Sequence, residues 1–75
     1  MFNIHNDREK LLIKYLHEEC TLCAFTFDFN KEINKINGIL FSLYMLDIID
    51  EPIIIENYYT VIELKETIEK YTFKI

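Results

Sequence analysis

The chain has 75 residues and a formal net charge of −5, from thirteen acidic side chains against eight basic ones. That length leaves room for one domain, residues 1–75, and the absence of any Lys/Arg cluster excludes the basic footprint of a direct nucleic-acid binder. Half of the residues (51%) are hydrophobic, which is generous for a chain that buries only about 60% of its unfolded surface, so a partner or a second copy is expected to cover part of it.

Phe, Tyr, Met, Ile, Asn and Lys fill 39 positions, and Gly, Ala, Arg and Pro fill four. This is the bias of an AT-rich coding sequence, as in an AT-rich bacterium, its phage or a virus. Cys20 and Cys23 are too few and too close for a disulfide framework. The N-terminal MFNIHNDREK is charged and lacks the apolar run of a signal peptide. The longest apolar run, 39–46, is broken by Ser42 and falls far below the ~20 residues of a membrane span. A cytoplasmic protein is expected, working in the host cell interior if its source is viral.

In chain order, MFNIH alternates and suggests a short edge strand or an extended arm. Asn6, Asp7 and Glu9 form the start signal of a first helix, with Asn6 as N-cap. Leu11, Leu12, Tyr15 and Leu16 form its expected buried stripe. Glu19 falls on that stripe, so the helix is expected to end or leave the core near 18–20. In the following stretch Phe25, Phe27 and Phe29 alternate with Thr26 and Asp28. This reads as a short strand, or as a connection whose phenylalanines plug the core.

A second helix is expected over 29–49, capped by Asp28 or Asn30. Phe29, Ile33, Ile36, Leu40, Leu43 and Tyr44 share one arc at helical spacing. From Gly38 onward the other side turns apolar as well, through Phe41, Met45 and Ile49, and Gly38 and Ser42 would let another backbone approach closely. The rival is a hairpin at Asn37-Gly38, a strong two-residue turn signal. Its strands would set a polar face beside an apolar one, which favours the helix. Pro52 ends the segment, Ile53–Ile55 reads as an extended piece across the core, and Thr60-Val61-Ile62-Glu63 reads as the capping box of a third helix. Val61, Leu64, Ile68 and Tyr71 are its expected inner stripe, and the tail TFKI alternates like a short strand. The expected fold is mainly α: a compact three-helix domain with short extended segments and the 29–49 helix packed between the other two. The alternative is α+β with the hairpin.

Candidate chemistry is sparse. His17, Cys20 and Cys23 have an H-x2-C-x2-C spacing. A structural zinc site needs four ligands and no second Cys/His pair follows, so buried thiols beside a surface histidine are the simpler reading. The C-x2-C pair likewise lacks the βαβ setting of a redox motif. Asp47 falls on the apolar stripe of 29–49, where a carboxylate is costly unless it is paired or the helix has ended. Asp47, Asp50, Glu51 and Glu56 gather acid around Pro52, and Tyr58 and Tyr59 follow. This is either a solvated face or a docking patch for a basic protein surface, tyrosine being frequent at interfaces. The alternation of a calcium loop is missing, and one glycine cannot build a phosphate loop.

These features point to a non-enzymatic, cofactor-free, acidic interaction protein. Its expected role is an inhibitor or regulator of another protein, in the manner of an antitoxin or of a phage or viral antagonist of a host factor. Its partner-binding residues would be Asp47, Asp50, Glu51, Glu56, Tyr58 and Tyr59. The second reading is a structural or assembly subunit forming a homo-oligomer through Gly38, Phe41, Ser42 and Met45. The third is a small metal-binding or redox protein using His17, Cys20 and Cys23.

Overall fold

The computed structural model describes Phe2 and residues 6–72, with side chains to residue 70. It contains three helices: α1 (Asp7–Leu22), α2 (Phe29–Met45) and α3 (Tyr58–Thr72). Among the described residues the only β pairing is an isolated antiparallel bridge between Phe2 and Ile49. The mainly α expectation therefore holds. The hairpin alternative does not, because Asn37 and Gly38 lie in mid-helix. The remaining residues of the N-terminal arm lie outside the described residues; of the strand expected at 72–75, Thr72 ends α3 and the other three also lie outside them.

The order of packing differs from expectation. The middle helix is α1, which packs on α2 along one side and on α3 along another. Its α3 side carries His17, hydrogen-bonded to Glu69 at 3.0 Å, and Cys20, which shares a cavity wall with Val61 and Lys65. Its α2 side carries Glu19, facing Glu32. The buried residues of α1 are Ile13, Leu16, Glu19 and Cys20, whereas Leu11 is 65% exposed and Tyr15 is half-exposed. The true stripe is thus rotated from the expected one, because a helix covered on two sides buries an arc centred between its neighbours. For the same reason α1 does not stop near 18–20 but continues to Leu22, burying Glu19 on the way.

The caps explain the helix starts. Asn6 Oδ1 accepts from the Glu9 amide at 3.0 Å, and Asp28 Oδ1 from the Lys31 amide at 3.1 Å, each satisfying one of the amides a helix N-terminus leaves free. The start of α3 lies before the expected capping box. Asn57, not Thr60, supplies the cap oxygen, accepting from the Thr60 amide and hydroxyl at 3.0 Å each. Between α1 and α2 the chain makes a turn rather than a strand. Phe25 and Phe27 project into solvent instead of plugging the core, and only Phe29 packs partly against it.

One face of α2 follows the expected arc: Ile33, Ile36, Leu40 and Leu43 are all buried. Its end explains Asp47. Ile48 N–H donates to the Leu43 carbonyl at 2.9 Å and Asp47 N–H to the Tyr44 carbonyl at 3.1 Å. Asp47 itself adopts φ 60°. This is a Schellman termination with aspartate where glycine is usual, sealed by the buried Leu43 and Ile48. Asp47 therefore faces solvent and does not intrude on the core.

The segment after Pro52 is neither helix nor strand, with Ile55 buried and Ile54 exposed. Asn37 holds it from mid-α2. The Ile55 amide donates to Asn37 Oδ1 at 2.7 Å, and Asn37 Nδ2 donates to the Ile55 carbonyl at 3.0 Å. The asparagine that resembled a turn residue is a clamp that supplies a strand-like piece with the hydrogen bonds a neighbouring strand would give.

Candidate interaction surface

Because α1 occupies the middle, α2 is covered on one side only. Its outer side carries Gly38, Phe41, Ser42 and Met45, the expected oligomer residues, and all four are exposed. Phe41 and Met45 are 64% and 63% exposed. Ser42 Oγ bonds back to the Gly38 carbonyl at 3.1 Å. A Cβ placed on Gly38 would meet nothing within 4 Å, so packing within the chain does not require glycine there, although glycine costs a helix interior about 1 kcal/mol relative to alanine.

Immediately beyond α2 comes the acidic turn. Asp47, Asp50, Glu51 and Glu56 are all exposed. Asp50 and Glu51 line a surface depression of about 220 Å³ with Ile49 and Ile53. Tyr58 packs edge-on against Phe29, with ring centroids 5.8 Å apart, and against Tyr59 at 6.4 Å. Tyr58 thus serves partly as a prop, while Tyr59 is much more open to solvent. The turn therefore joins two carboxylates to an apolar floor, and Tyr59 stands exposed at the start of α3. The expected partner-binding residues do lie on the surface, and the exposed Leu46 links them to the outer side of α2.

The candidate H-x2-C-x2-C group does not assemble among the described residues. His17 turns to Glu69, and among the described residues no three His, Cys, Asp or Glu side chains are grouped to hold a metal ion. Both thiols are free and buried. Burial, and then Cys23 beside it, pushes the Cys20 thiol up to about 12. Burial, followed by Glu32 and Glu19, also raises Cys23. A redox or zinc-binding thiol needs the opposite shift.

One polar cluster was not foreseen as such. Glu19 and Glu32 are 5% and 8% exposed, and each leaves its Oε2 buried without a hydrogen-bond partner. Burial raises the Glu19 carboxyl above its ordinary value, and a hydrogen bond and charge from Glu32 raise it further, against Lys35 and Tyr15. Lys35 reaches Glu32 at 3.6 Å. The signal was present in the spacing, since Glu32 stands three residues after Phe29 and four before Ile36, on the core side. Neither carboxylate lines the cavity beside Cys20 or the depression at Ile49 and Ile53.

Comparison with family models, curated proteins and solved structures returned no match to this chain. Among the described residues no helix is long and apolar enough to cross a membrane.

Proposed function

We propose that this protein acts by binding another protein, as a small acidic inhibitor or regulator, and that the turn after α2 is its docking patch. The observation that carries this reading is an apolar depression floored by Ile49 and Ile53 and rimmed by the exposed Asp50 and Glu51, with Glu56 and Tyr59 exposed a few residues further along the chain. Apolar surface rimmed by charge is typical of interaction sites, and a carboxylate rim steers a basic partner surface onto it. The raised thiols and the diverted His17 take support away from a metal or redox role.

The test is affinity capture from the cells that encode the protein, comparing the native chain with Glu51→Lys/Glu56→Lys. The native chain is expected to retain a partner that is lost with rising salt, and the double variant to lose it at low salt. Unchanged capture by the double variant would show that the turn is only a solvated face.

A further inference from the structure

We propose that the Glu19–Glu32 pair is a proton-operated latch: one shared proton holds α2 against α1, and its loss lets α2 lift while α1 stays docked on α3. Tyr15, Glu19 and Cys23 stand four residues apart and so share one face of α1. Opposite them α2 brings Glu32 and Lys35. Cys20, on the same helix, also feels the Glu19 charge. The third helix meets α1 on its other side, where Lys65 acts on Cys20.

The geometry of the pair requires the proton. Both glutamates are more than nine-tenths buried, and their carboxyl groups hydrogen-bond each other across the contact. An ionised carboxylate can only accept, so that bond exists only while one of the two is protonated. Lys35 reaches Glu32 at 3.6 Å and offsets a single charge. The Oε2 atom of each residue is buried with no donor to meet it. Loss of the proton therefore sets two carboxylates against each other in a buried contact and breaks the bond between them. Lys35 and the Tyr15 hydroxyl favour the ionised form of Glu19, but burial and Glu32 outweigh them and hold its value above 4.5. The latch is thus closed below pH 4.5 and released as pH rises through the raised value.

Topology confines the opening to one contact. Since α2 packs on α1 and not on α3, its departure uncovers Ile33, Ile36, Leu40 and Leu43 without disturbing the α1–α3 pair. The two thiols report on the two contacts separately. Cys23 lies beside Glu19 and Glu32, whereas Cys20 shares a cavity wall with Val61 and Lys65 of α3. Neither glutamate belongs to the docking turn, so this device stands apart from the proposed partner binding.

Thiol labelling of the full chain with 4,4'-dithiodipyridine tests it, with fragment mass spectrometry assigning the label to Cys20 or Cys23. Dividing the Cys23 rate by the Cys20 rate cancels the increase in thiolate that both share as pH rises. Between about pH 5 and about pH 8 the native ratio is expected to climb by about 3-fold or more. An ionised Glu19 would by itself slow the neighbouring Cys23, so a climb reads opening and not charge. Glu19→Gln and Glu32→Gln each keep a donor between the helices, and each is expected to hold the ratio level, with helical circular dichroism confirming the fold. A native ratio that stays level, as global unfolding alone would give, overturns the proposal. So does a ratio that climbs as steeply in Glu19→Gln as in the native chain.

Discussion

Asp47 shows how one residue can be misjudged by its angle alone. On a helical projection it interrupts an apolar stripe; in the fold it follows the C-cap Leu46, past the end of the helix, at φ 60°. A side chain in that region is strained by roughly 1 kcal/mol or more, and glycine is not. Asp47→Gly is therefore expected to stabilise the fold by roughly 1 kcal/mol, with Asp47→Asn near neutral as the control for charge; urea denaturation distinguishes them. Asn37 is the reverse case, a residue that resembled a turn and proved to be a clamp. Asn37→Ala strands the amide and carbonyl of Ile55 and is expected to cost about 1–3 kcal/mol in the same measurement. Glu19 makes stability depend on pH. Its folded value lies above the 4.5 of the free side chain, so the folded state holds this proton more tightly than the unfolded chain. The contribution is complete below pH 4.5 and is lost as pH rises through the raised value. Glu19→Gln keeps a donor toward Glu32 and removes the titration. It is expected to flatten this decline and to raise the melting temperature at pH 7 by about 4–8 °C for each kcal/mol regained. A lower melting temperature with the pH slope intact would rule out a retained proton.

At the scale of elements, the sequence was most legible where a local rule acts alone. The Asn6 and Asp28 caps and the arc of α2 from Ile33 to Leu43 appeared where spacing and capping chemistry placed them. It was least legible where tertiary packing overrides the local signal. Phe25-Thr26-Phe27 alternates like a strand, yet among the described residues no second strand lies beside it to pair with, and the chain turns there instead. Thr60 to Glu63 looks like a capping box, but Asn57 reaches the same amide first, and the helix gains Tyr58 and Tyr59. The α1 stripe was misplaced because the projection assumed one covered side where there are two. Of the candidate surface, exposure of the acidic turn and of the outer α2 face was readable, whereas the buried Glu19–Glu32 pair needs two helices and so was not. Gly38 allows a direct check within α2. Because its missing Cβ meets nothing in its own chain, Gly38→Ala is expected to add about 1 kcal/mol of stability, measured in dilute solution where only the single chain is present. A loss of stability would mean that the glycine has a role inside the fold.

At the scale of the whole molecule, the hydrophobic segment that dominates the sequence is not the middle of the structure. Its inner half joins the core and its outer half is left to solvent, because the helix before it, less apolar overall, lies between the other two. That arrangement leaves Phe41 and Met45 exposed on the outer side of α2, in a chain that goes on directly into the acidic turn. The middle position of α1 also has a kinetic consequence. Since α2 and α3 each pack on α1 and hardly on one another, either can peel away while the other pair stays docked, whereas α1 is released only when both contacts fail. Amide hydrogen exchange should therefore be slowest around Ile13 and Leu16. Around Val61 and Leu64 it should proceed through a cheaper partial opening, with a smaller dependence on denaturant than global unfolding.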